Sequence, residues 1–290
     1  MHRSVEFAET VIKSSQGHHL RYREWRPDRE NGPPRAMILI VHGFGEHGER
    51  YDRLARRLAQ SGYAVGCGDL RGMGQSDGVR GFVADYEEYV ADTEIFAAKL
   101  KSQDRRDTPL FLYGHSMGGL VALRHAQTRA SAGIASTILS GPLLGVAVPV
   151  PAWQLAFGRA MVRIAPRMPM PVPFDATILT HDEERIAMLK SDALNITQVR
   201  LSWFFASERA MAEAVRDVSK VSWPTLWLIA GDDRICASSA ASVVYDRLPN
   251  PETHRWIDFP GLFHEIHQER QTDFERLVSQ VSQWVENHLG

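Results

Sequence analysis

Leu110-Phe111-Leu112-Tyr113-Gly114-His115-Ser116-Met117-Gly118 decides how this chain folds. Four apolar residues read as a buried strand, and the run after the glycines, 118–130, has the apolar spacing of a helix. Between them lies G-x-S-x-G, the signature of a sharp strand-to-helix turn that holds a serine in a strained backbone. Bulky side chains beside such a serine would collide with neighbouring chain, so the flanking positions are glycine. The turn lifts the Ser116 hydroxyl clear of the sheet and aims the amide of Met117 at the same space.

Outward from this stretch, apolar runs alternate with helix-like segments. Strands are expected at 36–41, 63–66, 110–113, 134–140, 225–230 and 253–257, and helices at 51–61, 89–101, 118–130, 238–247 and 272–288. The alternation predicts an α/β fold: a mostly parallel central sheet with helices on both faces. From 143 to 216 the rhythm breaks into short helical pieces and turns around Pro149, Pro151, Pro166, Pro169, Pro171 and Pro173. The expected organisation is therefore one core, 1–142 and 217–290, with an inserted lid over 143–216. The lid's apolar start, around Val146, Val148, Trp153 and Phe157, suits a greasy substrate or a membrane surface, and equally suits packing onto the core.

Composition narrows the class. Apolar residues make up 44% and charged residues 23%, with a net charge of −2, so the chain offers no basic stripe for nucleic acid. The two cysteines, Cys67 and Cys236, have no paired metal or redox spacing, and a reducing compartment fits them. The first residues, Met1 to Glu9, place acids where a signal peptide needs an apolar run, and no apolar stretch of about 18 residues follows. A cytoplasmic protein, at most peripheral to a membrane, is expected.

A serine needs a base and an orienting acid, which in this architecture follow it in the order acid, histidine. Past the apolar run 225–230 comes Gly231-Asp232-Asp233-Arg234. Asp233 is preferred as the acid, because Asp232 suits the tight turn as a backbone-bonding residue. Past the next strand, Gly261-Leu262-Phe263-His264-Glu265 supplies His264 as base, with His267 a rival at the start of the last helix. Strand 36–41 leads into His42-Gly43-Phe44-Gly45, where the Phe44 amide can join that of Met117 as oxyanion donors. His42 and His47 are expected to shape this loop by hydrogen bonding. The spacing His264-Glu265-Ile266-His267 is not that of a zinc-protease helix, and Gly66-Cys67-Gly68 begins no dinucleotide loop. No metal or organic cofactor is called for.

With these pieces assembled, the chain resembles the monoglyceride lipase and lysophospholipase branch of the α/β hydrolases. The likeness lies in His42-Gly43-Phe44-Gly45-Glu46-His47 with Arg50-Tyr51, Asp69-Leu70-Arg71-Gly72-Met73-Gly74, Gly114-His115-Ser116-Met117-Gly118-Gly119, Asp233-Arg234-Ile235-Cys236 and Gly261-Leu262-Phe263-His264-Glu265. It implies an α/β-hydrolase fold and a lidded serine hydrolase of single-chain lipid esters, with Ser116, Asp233 and His264 as its triad and Phe44 and Met117 as oxyanion donors. It also implies that Cys236 lies near the acyl site. The lid carries no matching residues, and Arg71-Gly72 stands where the family commonly has His-Gly. A serine aminopeptidase or amidase is the rival enzyme class, with Asp182-Glu183-Glu184 as its candidate amine-binding acids; a ligand-binding protein that has lost catalysis would be expected to lack a triad residue.

Overall fold

The computed structural model describes residues 4–28, 32–102, 104, 107–129, 133–148, 150–171 and 175–289. Met1–Arg3, Ala130, Pro149, Pro173 and Gly290, all included in the expectations above, lie outside them.

Eight strands form one sheet in the order β1-β2-β4-β3-β5-β6-β9-β10. The expected strands are β3 (Ala36–Val41), β4 (Tyr63–Gly68), β5 (Leu110–His115), β6 (Ile134–Ser140), β9 (Thr225–Ala230) and β10 (His254–Phe259), and each pairs in parallel with its neighbours among these six. Their cores are the apolar runs; β4, β5 and β10 extend two residues past the apolar pattern. The architecture is the α/β-hydrolase fold.

Two further strands, β1 (Val5–Lys13) and β2 (His19–Pro27), form an antiparallel hairpin at the sheet's edge, with β2 antiparallel to β4. Their pattern is hidden by charge. β2 buries Leu20, Tyr22 and Trp25 but also Arg23, whose guanidinium meets Asp69 at 2.8 Å and Glu49 at 2.7 Å. An arginine that reads as surface is thus a paired core residue.

Alternation along the strands divides the apolar side chains between two faces. On β3, Met37, Leu39 and Val41 join α2 (Glu87–Lys101), α3 (Met117–Thr128) and α7 (Ser238–Tyr245) on one side. Ala36, Ile38 and Ile40 join α1 (Asp52–Gln60) and α8 (Gln271–Glu286) on the other. β6 and β9 are adjacent in the sheet, yet the chain between them holds α4 (Ala152–Met161), β7 (Pro169–Pro171), α5 (Glu183–Ser191), β8 (Gln198–Arg200) and α6 (Leu201–Arg216). No helix among the described residues is long and apolar enough to cross a membrane.

Among the described glycines the closest approach is on α3, against the end of β3. A Cβ at Gly118 would collide with the carbonyl oxygens of Val41 and His42. Alanine in place of a helical glycine ordinarily stabilises by about 1 kcal/mol. Here the added atom meets backbone that cannot swing aside, and overpacking of this kind costs roughly 1–3 kcal/mol. Gly118→Ala is therefore expected to lower the urea midpoint of unfolding; an unchanged or higher midpoint would remove the packing argument.

Candidate active site

Ser116, Asp233 and His264 each follow the carboxyl end of a parallel strand, the edge of an α/β sheet where ligands bind. Ser116 follows β5 and caps α3 with φ 53° and ψ −119°. Its amide donates to Ser140 O (2.9 Å), and its carbonyl accepts from Gly119 (2.9 Å) and Leu143 (2.9 Å). These bonds hold the strained turn from both sides. The flanking glycines are required by space as well, since a Cβ at Gly114 would strike the Gly118 carbonyl.

Asp233 follows β9 and His264 follows β10. Asp233 Oδ2 lies 2.7 Å from His264 Nδ1, while Asp233 Oδ1 accepts the amides of Ile235 and Cys236 at 2.8 Å each. Asp232 faces outward and pairs with Arg234 at 2.8 Å. His267 sits in a 3-10 turn (Ile266–Gln268), buried and stacked on Tyr51 with ring centroids 4.5 Å apart, and does not meet Asp233. Of the two pairs of rivals, Asp233 and His264 are the members that meet each other.

Burial pulls the His264 imidazole down, but the Asp233 carboxylate and its hydrogen bond outweigh this, and the net shift is upward. The neighbouring rings behave oppositely. His115 and His267 are both pushed well below the ordinary histidine value, first by burial and then by nearby positive groups, so they stay neutral.

Among the described residues neither the Phe44 nor the Met117 amide donates a hydrogen bond; Met117 opens α3 directly after Ser116, and Phe44, in the loop after β3, lines the same cavity as Ser116. His42 shapes that loop: its Nδ1 lies 2.7 Å from Gly43 O and its Nε2 accepts from the Leu70 amide at 2.9 Å. His47 Nε2 reaches Asp192 of the inserted segment at 2.7 Å.

The Ser116 hydroxyl rests against Cys236 Sγ at 3.9 Å. Asp233, Cys236 and His264 converge to within 4.8 Å, close enough for a metal to be considered. Their chemistry argues against one, because burial pushes the thiol well up and the carboxylate is already filled by the imidazole and two amides.

Above Ser116 opens a cavity of about 590 Å³. Leu143, Leu155, Leu179, Val199, Phe204 and Met211, all from the inserted segment, contribute apolar walls. Its polar lining includes a charged cluster, Glu46, Arg50 and Glu265, beside Ser116 and His264, with Asp175, Ser207 and Glu208 elsewhere on the wall. Arg50 grips Glu265 through both carboxylate oxygens at 2.5 and 2.6 Å, with Glu46 at 3.9 Å. Burial, opposed by Arg50 and reinforced by the Glu46 charge, pushes the Glu265 carboxyl up. This cluster was not assigned a role from sequence. Its members stood in plain view within the Glu46-His47…Arg50 and His264-Glu265 motifs, but 215 residues separate Arg50 from Glu265.

The profile of the serine aminopeptidase S33 family matches residues 32–271. The chain belongs to that family, in the monoglyceride lipase branch of the α/β hydrolases. Phospholipase YtpA of Bacillus subtilis is 30% identical over 86% of this chain and 93% of its own length. Human monoglyceride lipase is 27% identical over 94% of this chain and 89% of its own. An uncharacterized abhydrolase domain-containing protein of Dictyostelium discoideum is 27% identical over 93% of this chain, which spans 28% of that protein's length. A soluble variant of monoglyceride lipase from Saccharomyces cerevisiae, solved with a substrate analog, superposes with a TM-score of 0.84 at 23% identity, covering 99% of this chain and 96% of that one.

In this hydrolase the contact between His264 and Asp233 is directly measurable. By NMR titration, the His264 ring is expected to lose its proton above the ordinary histidine value of 6.5. Asp233→Asn removes the charge and leaves burial in control, so the midpoint should fall below that value; an unmoved midpoint would show that the carboxylate does not govern the ring.

Proposed function

We propose that this serine hydrolase cleaves carboxylic esters of single-chain lipids, with an uncharged head group, through an acyl-enzyme on Ser116. The observation that carries the reading is the cavity itself: apolar walls on the side of the inserted segment, and at its polar end a cluster whose one cation is already matched. An acyl chain suits the walls. A glycerol-like head suits Glu46 and Glu265, which accept hydrogen bonds, whereas a phosphate would meet two carboxylates and an arginine held in bidentate fashion by one of them.

In the proposed chemistry the Ser116 hydroxyl turns about Cα–Cβ from Cys236 toward His264 and attacks the ester carbonyl. His264 Nε2 takes the hydroxyl proton, and Asp233 fixes the tautomer and stabilises the imidazolium. The carbonyl oxygen, now negative, is held by the Phe44 and Met117 amides; one such donor is worth about 3–4 kcal/mol of barrier. Collapse breaks the bond to the alcohol, which leaves with the proton from His264. Water then gives its proton to the same imidazole, attacks the acyl carbon, and the fatty acid departs as serine is restored. None of these steps calls for a cofactor.

The aminopeptidase alternative needs a free acid near the site to hold an amine. Asp182 caps α5 by accepting the Arg185 amide, and neither it nor Glu183 nor Glu184 lines the cavity. The acids that line the cavity are engaged, Asp175 by Thr177, Glu208 by Arg159, and Glu265 and Glu46 by Arg50. These engagements favour the ester reading.

We assign 143–216 the role of lid. On α4 and beside it, Val148, Trp153, Phe157 and Ile164 are 60–80% exposed, a set of side chains suited to the lipid interface. Flotation with neutral liposomes is expected to carry the protein upward, and Trp153→Ser with Phe157→Ser to abolish this; wild type left at the bottom would exclude a membrane-facing lid.

The functional test is turnover of p-nitrophenyl esters, 1-monoacylglycerol, lysophosphatidylcholine and lysophosphatidic acid by wild type and Ser116→Ala. Monoacylglycerol should be hydrolysed fastest and lysophosphatidic acid slowest, and the variant should lose activity by roughly a millionfold. Preference for the anionic lipid would refute the head-group argument, and a wild type inert toward every ester would refute the reading itself. Because the base must be neutral, the acid limb of kcat/KM should lie above pH 6.5, in line with the raised His264 midpoint.

A further inference from the structure

Behind His264, away from the cavity, one carboxylate joins two parts of the chain that the mechanism treats separately. Glu269 precedes α8 and is wholly buried. Its Oε1 accepts the Phe263 amide at 3.2 Å and lies 2.8 Å from His181 Nδ1, and its Oε2 accepts the His181 amide at 3.1 Å. Phe263 adjoins the base in sequence. His181 belongs to the lid, and its ring stacks on Phe263 with centroids 3.8 Å apart.

Two more bonds follow the same seam. The Glu265 amide donates to Leu179 O at 2.8 Å, and Thr180 Oγ1 donates to Gln268 O at 3.0 Å. Leu179 in turn lines the cavity. The Glu269 backbone is itself held by Arg53, whose Nη1 donates to its carbonyl at 2.8 Å.

We propose that Glu269 is a positioning residue that fastens the lid segment bearing Leu179 to the loop bearing His264, so that the acyl-binding wall and the general base are set as one unit. The inference rests on the assignment of His264 as base and deepens it. Three N–H groups converge on the carboxylate, and only an acceptor-only group can meet all of them. A glutamine there has one acceptor oxygen, and its NH₂ would face another donor. An amide or imidazole left unpaired in this buried place is costly, so the seam should part rather than tolerate it.

Glu269→Gln and His181→Phe, each in the full chain, separate the two arms. The phenylalanine keeps the stack on Phe263 and removes only the ring N–H. Hydrogen exchange by mass spectrometry reads the coupling without reference to activity. In Glu269→Gln, exchange is expected to rise over both 176–182 and 261–265 while α1 and α3 stay protected. In His181→Phe the rise should be confined to 176–182. With a short p-nitrophenyl ester, Glu269→Gln should lose roughly ten- to a hundredfold in kcat, the scale of a misplacement of about 1 Å, with KM little changed and the acid limb moved.

Uniformly faster exchange, or a local change with kcat and the acid limb at wild-type values, would reduce Glu269 to a structural residue and overturn the proposal. Should Glu269→Gln not fold, His181→Phe still decides, since unchanged exchange over 176–182 would remove the lid arm. A wild type inert toward every ester would fell the functional reading alone, because the exchange pattern still reports whether the two segments are joined.

Discussion

The backbone at Ser116 is the constraint on which the rest of the site depends. A serine at φ 53° is strained by about 1–3 kcal/mol, and such a conformation persists only where the surroundings over-determine it. The over-determination is visible. The strand before Ser116 is locked between β3 and β6, its amide and carbonyl are bonded to Ser140 and Leu143, and α3 is pressed so closely on β3 that only glycine fits at 118. In return the turn leaves the first amide of α3 without a protein acceptor and puts it next to the hydroxyl. Strain, a free donor and a raised hydroxyl are three consequences of one turn.

A second constraint is charge. Glu46, Arg50 and Glu265 are buried within reach of His115, His264 and His267, a density of ionisable groups that an apolar core could not hold unpaired. Burial and mutual repulsion keep His115 and His267 neutral, and Arg50 divides its charge between two carboxylates. The ring free to take a proton is therefore the one beside Asp233. Three histidines lie together, and the position of one aspartate sets His264 apart from the other two rings.

How much of this was legible in the sequence follows from where each signal lives. The six parallel strands are continuous apolar runs because they are buried on both faces, and such runs can be read without a structure. The edge hairpin could not be read in the same way: β1 is half-exposed, and β2 buries Arg23 through ion pairs with residues 26 and 46 positions away. Ser116, Asp233, His264, Phe44 and Met117 each sit in a local motif at a strand end, so local reading sufficed to nominate them. The Arg50–Glu265 pair and the Glu269 clamp are contacts between distant segments, and no local pattern announces them.

The inserted segment between β6 and β9 is the extreme case, yet its two halves differ in kind. From Asp175 to Arg200 it is tied to the core by polar bonds: Ile196 donates to Gly45 O, His47 meets Asp192, Leu179 and His181 join the loop of His264, and Arg200 donates to Gly81 O. Those ties reach both the loop of Phe44 and the loop of His264, so this half cannot shift without disturbing the surroundings of both. From Val146 to Ile164 the exposed apolar side chains dominate, and few polar bonds lead back to the core. Composition there can change with the cost confined to contact with substrate or interface. The first half is thus held mainly by its own packing and offers no motif to read, whereas the second half is fixed by polar bonds to distant loops and can be read only through its partners.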